Sequence, residues 1–512
     1  MKRSILFSFI MIITASCLAQ VPDDALKFSW LSPSGTARNQ AVGGAMGSLG
    51  GDITATFVNP AGIGLYKTGE VVLSPGFNFL NNKSTYRENT TSVTNNSFNL
   101  GTSGLVIGFS NRNSKLKSGA FSLAVNRTAN FNTNIDYNGS NNFSSYSEQY
   151  ASELANSKIP IGKALDFDAP LSLGTKMAVY SYLIDTATRN GSLQVIGLPE
   201  RLLERGQQNY LQTKGGITEI ALGLAGNMND KFFFGGSIGI PIVNYEKTST
   251  FTERDLSGNI NNNFDYSTLR ETYTTKGIGL NAKAGIIFKP VEDVRLGLSL
   301  HSPTIYGLQD TYSGNMATET ENYPPSPGLV EVNSATVSGN ELSQYKYDLI
   351  SPWKVLLSGS YMFHEVEDVG KQRGFISADV EYVNYKAAMY QTADENATDN
   401  TYYTDINNSI DNLYKGSFNF KVGGELKFET IMVRAGFAHY GNPYEDAELD
   451  AGRNFISGGV GYRDKGFFVD LTYVHGMQKN VNFPYRLSDK PNTFAAVNGT
   501  SANVLLTVGF KF

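Results

Sequence analysis

Cysteine is nearly missing. The 512-residue chain has one, Cys17, and it stands in the leader. The folded part therefore has neither a disulfide framework nor a cysteine metal site. Histidine is scarce as well. His301, His364, His439 and His475 lie far apart with no ligand spacing, so they read as isolated strand or loop-edge residues, and no metal or other cofactor is expected. Charged residues make up 17% of the chain, below the usual quarter or so. The net charge of −5 comes with no Lys/Arg stripe, which leaves no nucleic-acid footprint. After the leader, no apolar run approaches the roughly 18 residues of a membrane helix.

What the chain does have is 28 Tyr, 31 Phe and 52 Gly. Few charges with many aromatics and glycines suit an all-β protein with an apolar exterior. Residues 1–19 read as a secretory signal peptide: Met1-Lys2-Arg3, a short apolar stretch over 5–13, then Cys17-Leu18-Ala19 before Gln20. A lipidation site at Ala15-Ser16-Cys17 is disfavoured by Thr14, where an aliphatic residue belongs. Losing Lys2 and Arg3 takes the net charge from −5 to −7.

Residues 38–65 follow, rich in small residues, with Gly43, Gly44, Gly47, Gly50, Gly51, Gly62 and Gly64 and the run Asn59-Pro60-Ala61-Gly62. This stretch is apolar enough to be buried and too short to be a domain. The reading is a segment of about 20–68 packed inside something built by 69–512.

From about residue 70 the pattern has period two. Val504, Leu506, Val508, Phe510 and Phe512 share one face of the last segment, and 375–382 and 466–473 repeat it with Asp379, Glu381 and Asp470 on the polar face. A soluble sandwich would leave those acids in water; a membrane barrel would turn them to a lumen. Segment spacing decides. About fourteen strand-like segments are countable: 69–82, 97–110, 116–138, 216–228, 231–250, 268–289, 294–308, 349–364, 374–390, 415–429, 431–440, 453–462, 466–478 and 501–512. Short connections (111–115, 228–230, 290–293, 365–373, 430, 463–465) alternate with long ones (83–96, 139–215, 251–267, 309–348, 391–414, 441–452, 479–500). That order predicts an all-β, closed antiparallel transmembrane barrel with tight periplasmic turns and long outer loops. Phe77, Phe79, Tyr137, Trp353, Tyr361, Phe363, Tyr382, Tyr462 and Tyr473 are candidates for its interface girdles.

The longest loop, 139–215, is expected to be partly helical, over 146–156, 176–187 and 198–204, with Pro199 in a first turn. Its apolar residues include Leu173, Met177, Tyr180 and Leu183. They could form a rigid cap or a ligand-collecting surface, and loops this long are usually functional. Gly235-Gly236-Ser237-Ile238-Gly239 matches the G-x-S-x-G elbow, but it lies within a strand with no helix after it, so catalysis is not expected and the chain reads as a non-enzyme. The Gly-rich segment is neither a P-loop nor a dinucleotide fingerprint.

These residues resemble the FadL/TodX outer-membrane transport family. Gly43-Gly44-Ala45, then Asp52, then Asn59-Pro60-Ala61-Gly62 match its N-terminal pattern, with Gly51-Asp52 where two acids are common. Lys283-Ala284-Gly285, Gly297-Leu298-Ser299 with Ser302-Pro303, and Pro352-Trp353-Lys354 add weaker matches. The terminal Phe510 and Phe512 resemble the signal that barrels present to their insertion machinery. The resemblance implies a fourteen-stranded barrel in the outer membrane, with a lumen closed by an N-terminal hatch. It also implies loops that collect hydrophobic or amphiphilic compounds such as long-chain fatty acids, and a sideways exit at a kinked strand. The expected partners are outer-membrane lipid, a hydrophobic small molecule and the insertion machinery. Three other readings stay open: a surface or secretion scaffold on the same barrel, an outer-membrane lipase using Ser237, and a nonspecific water-filled porin.

Overall fold

The computed structural model describes residues 22–512 except 31, 112, 190, 340–342, 364–372, 394–396, 447–448 and 488. The expected signal peptide and lipidation site therefore lie outside the described residues, as do His364 and most of the 365–373 connection.

Fourteen antiparallel strands form the barrel. They are β1 (Glu70–Leu73 and Pro75–Tyr86), β2 (Asn89–Leu100 and Ser103–Ser110), β3 (Leu116–Asn130 and Thr133–Asn141), β4 (Arg205–Met228) and β5 (Phe232–Asp255). Next come β6 (Tyr266–Val291), β7 (Val294–His301 and Ile305–Glu319), β8 (Ser343–Ile350 and Lys354–Phe363) and β9 (Gly374–Asn384 and Met389–Thr392). The last five are β10 (Gly416–Phe428), β11 (Ile431–Tyr440), β12 (Arg453–Asp464), β13 (Phe467–Asn482) and β14 (Ala495–Lys511). Each pairs with its neighbour in sequence, and β1 closes the ring on β14, with Glu70 opposite Lys511 and Gly76 opposite Leu505. Closure removes the free edges that lipid would not tolerate.

The alternation is inverted relative to a soluble sheet. On β5, Phe232, Phe234, Ile238, Ile240 and Ile242 are exposed, while Phe233, Ser237, Val243 and Tyr245 are buried. Asp379 and Asp470 are buried on the inner face, 1% exposed each. An apolar belt outside and a polar, filled interior are what a bilayer selects. Trp353, Tyr361, Tyr462 and Tyr473 are exposed on the outer wall, but Tyr137 is not a girdle residue: it points inward and is buried.

All fourteen expected segments are strands, and the differences lie at their outer ends. The expected loop at 83–96 is strand on both sides of a two-residue turn, Arg87-Glu88, and the expected loop 139–215 ends at 204 because Arg205 already belongs to β4. Strands β4, β5 and β6 have 24, 24 and 26 residues, more than twice the roughly 9–11 needed to span a bilayer. Beyond the bilayer both strand faces meet water or polar loops. The period-two signal then fades, as in the sequence of Asn89–Leu100, NTTSVTNNSFNL.

Candidate functional site

The N-terminal segment lies against the inner face of the barrel. It consists of α1 (Pro22–Ser29), α2 (Ala37–Ala41), α3 (Ala55–Val58) and a 3-10 turn (Pro60–Leu65). Its helices are too short to hold themselves together, so the wall supplies their partners. Thr507 Oγ1 accepts from Ala37 N at 2.8 Å, and Thr472 Oγ1 donates to Ala37 O at 2.6 Å. Ser457 Oγ donates to Ala41 O and accepts from Gly43 N. Asp379 Oδ2 accepts from Gly47 N at 3.1 Å, and Arg295 donates to Leu49 O at 2.7 Å. On the other side, Ser118 donates to Gly64 O, Ser237 to Thr56 O, and His301 Nε2 lies 2.9 Å from Val58 O.

Glycine permits this close approach on both partners. A Cβ on Gly43, whose φ is +67°, would lie 2.8 Å from the Phe437 carbonyl oxygen, and one on Gly423 would lie 2.2 Å from the Val42 oxygen. The wall glycines Gly235, Gly285 and Gly297 stand against Pro60, Asn59 and Gly47 in the same way. The elbow-like run at Gly235-Gly236-Ser237 is thus a docking surface in the middle of a strand. Gly423→Val is expected to force the segment off β10 and β11, leaving the barrel inserted but residues 38–65 open to protease; limited proteolysis of the purified protein reads this directly.

The residues singled out in this segment fall as follows. Gly44 is also left-handed, with φ +77°. Asp52 accepts from Thr36 Oγ1 at 2.7 Å and from Thr54 N at 2.9 Å, tying α2 to α3. Asn59 caps the 3-10 turn by accepting from Ala61 N, and its amide donates to Gly47 O and to Ile286 O. Pro60 occupies the first turn, where no N–H is needed. Ala61 is fully buried, and Gly62 packs on Gly50.

Above this layer α1 packs into an aromatic cluster, the chamber of the barrel that it fills. Phe28 packs edge-on against Phe131 and Tyr245, with ring centres 5.9 and 6.4 Å away. Lys27 pairs with Asp24 and lies 3.9 Å from the Tyr245 ring. Ile217, Leu308, Leu349 and Tyr347 complete the apolar surround. Asp310 accepts hydrogen bonds from Tyr273 and, at 3.2 Å, from Tyr347. Sequence reading missed this chamber, because its residues come from many strands, each contributing one or two inward positions.

The wall has a seam next to the chamber. β2 and β3 pair from Ser103↔Val125 to Ser110↔Ser118, and among the described residues no pairing between them runs above that. On its other side β3 shifts register against β4 between Arg127 and Ala129. Chain from the N-terminal segment backs the break: Ser32 N donates to Thr128 O, and Thr102 N donates to Gly35 O. Higher up, side chains replace the ladder: Asn130 donates to Ser97, Asn95 to Asn134, and Asn134 to Thr94 O.

The outer loop 142–204 carries α4 (Ser147–Ser157), α5 (Leu173–Tyr180), a hairpin (Ile184–Arg189 with Ser192–Gly197) and a 3-10 turn (Leu198–Arg201). The helix expected over 176–187 therefore ends early; a turn at Gly191, φ +78°, returns a hairpin instead. Of the four proposed collecting residues, Leu173, Met177 and Leu183 are buried in the cap's own core with Phe251, Leu269 and Met316, and as placed they offer no surface to a ligand. Apolar side chains of a loop this large bury one another first. Tyr180 is 41% exposed. At the chain's end Phe510 faces outward opposite Val71, and Phe512 exchanges backbone hydrogen bonds with Gly69.

No family model and no curated protein matches the chain by sequence. Solved structures do match by fold. One is a Pseudomonas aeruginosa FadL homologue, at 14% identity and TM-score 0.55, covering 94% of this chain and 100% of that one. Another is a deltaS2 mutant of the TodX monoaromatic hydrocarbon channel, at 11% identity and TM-score 0.51, covering 93% and 98%. The chain has the FadL/TodX fold.

Proposed function

We propose that this barrel lets hydrophobic or amphiphilic small molecules, long-chain fatty acids among them, diffuse across the outer membrane. The observation that carries the reading is the apolar, tyrosine-rich cluster in which α1 packs against the inner wall. Apolar walls with a few placed hydroxyl and carboxyl groups suit a long apolar ligand with one polar end, once α1 gives way. The 38–65 layer would act as the hatch below it, with Gly43, Asn59 and Pro60 meeting the wall and Gly44, Asp52, Ala61 and Gly62 shaping the layer itself, and α1 would yield to the ligand. The seam between β2 and β3 would be the way out into lipid. The solved structures of like fold carry hydrocarbon-channel and FadL names, which agrees with this class of cargo.

Saturable binding of a fluorescent long-chain fatty acid to purified protein tests the proposal. Leu308→Trp, which overfills the chamber, is expected to weaken binding about tenfold, since overpacking costs about 1–3 kcal/mol. Absence of saturable binding, together with equal uptake of fatty acids and aromatic hydrocarbons by deletion and wild-type cells, would overturn it.

A further inference from the structure

One arginine stands where the wall opens. On β3, Phe121 and Leu123 face the lipid, and the alternation continues unbroken through Val125 to Arg127, with Asn126 and Thr128 buried on the inner side. Arg127 therefore lies on the outward face, one step above the last pair that joins β3 to β2, Ser103↔Val125. Its neighbour across β4 is Thr218, two positions above the outward Ile220. That height is the upper edge of the apolar belt, the level at which bilayer head groups sit.

The seat is built. β4 has Gly215-Gly216 at this point, and a Cβ on Gly216 would lie 2.6 Å from Arg127 Nη2 and 2.8 Å from its Cζ. A side chain there would expel the guanidinium. Arg127 donates from Nη2 to the Gly215 carbonyl, and its Nε is buried without a partner among the described residues. None of the ion pairs among the described residues involves it. An arginine holds five donors in a planar fork suited to carboxylate or phosphate, and the Gly215 bond is the one recorded for this side chain among the described residues.

We infer that Arg127 receives the anionic head of an amphiphile passing through the β2–β3 seam, so that the barrel favours acidic amphiphiles over neutral hydrocarbons. This rests on the transport reading above. The geometry fits the final state of such a ligand: its head at the interface beside Arg127, its tail lying down the belt along Leu123 and Phe121. The asparagine and serine side chains that bridge the seam exchange hydrogen bonds readily with a polar head, which a backbone ladder would not. A resident lipid head group would offer the same chemistry, so the test separates the two sources.

Purified protein is reconstituted into vesicles of zwitterionic phosphatidylcholine alone. Flux of a fluorescent long-chain carboxylic acid and of the matching alcohol is compared for wild type, Arg127→Gln and Arg127→Lys. Gln removes the charge and stops at the position of Nε, so Arg127→Lys, which keeps charge and most of the reach, separates loss of charge from loss of the Gly215 bond. Expected is a fall in acid flux of about tenfold for R127Q, the scale of one charge-assisted hydrogen bond, unchanged alcohol flux, and partial recovery in R127K. Equal fluxes for R127Q and wild type would overturn the inference while leaving transport intact. So would an equal fall for acid and alcohol, which would mark a structural role. An effect seen only after anionic lipid is added would assign Arg127 to a resident lipid and also overturn it. If wild type moves neither compound, the transport reading falls, and this inference with it.

Discussion

Deleting residues 22–64 is expected to leave an inserted barrel whose single-channel conductance is higher than that of wild type by roughly tenfold or more, the difference between a filled and a water-filled lumen of this strand number. The barrel should survive because its closure does not use the segment. β1 pairs with β14 through Glu70–Leu73 and Gly76–Thr85, all beyond the deletion. The wall groups that lose partners, among them Thr472, Ser457, Asp379 and Arg295, would face lumen water, which can satisfy them. The interior glycines Gly423, Gly436 and Gly235 would become open wall. Planar-bilayer recording provides the measurement. Unchanged conductance would mean that the outer cap, not the N-terminal layer, closes the pore.

The strand count was legible because the bilayer imposes it: within the belt, outward positions must be apolar, so period two is written plainly, as at 504–512. Outside the belt the constraint lapses, and the outer halves of β2 and β4 looked like loops. The Gly-rich run at 38–65 announced a buried segment, but its docking sites were hidden in plain view. Gly235, Gly285 and Gly297 each interrupt a strand, and a glycine inside a strand is itself a sign that another backbone comes close. That signal would also have explained the elbow-like motif around Ser237 without recourse to catalysis. The cap residues Leu173, Met177 and Leu183 were recognisable as apolar, but whether they line a surface or a core depends on Phe251, Leu269 and Met316, which are distant in sequence. Arg127 was beyond sequence reading altogether. Its meaning depends on which way β3 faces, where pairing with β2 stops, and on the glycines of a strand some ninety residues later.

The other large effect is expected in the ionic cluster under α2, where Asp470, one of the acids first placed on an inner wall by alternation, is used. Arg434, whose side chain is fully buried, donates from Nε to Glu425 at 2.6 Å and from Nη1 to Asp470 at 2.6 Å. Glu425 also accepts from Arg38 Nε at 3.3 Å, and Arg463 Nη2 lies 3.8 Å from Asp470. Arg38, Arg434 and Arg463 thus crowd around Glu425 and Asp470, with Asp52 of the N-terminal segment also attracting Arg38. Glu425→Ala removes the acceptor of Arg434 Nε and strands a buried positive charge, which costs roughly 3–5 kcal/mol when a buried pair is broken from one side. Arg38→Met removes the one guanidinium that comes from the N-terminal segment; the Glu425–Arg434 bond remains, so the barrel should lose about 1 kcal/mol or less, close to the net worth of one hydrogen bond. Arg38 nevertheless ties α2 to β10, and its Nη1 donates to Gly51 O. R38M is therefore expected to expose the N-terminal segment to protease while the barrel keeps its unfolding midpoint, and E425A to lower that midpoint sharply. Urea unfolding in detergent micelles, run beside limited proteolysis, separates the two. If R38M destabilises the barrel as much as E425A, the segment is not merely docked on the wall but part of what holds it together.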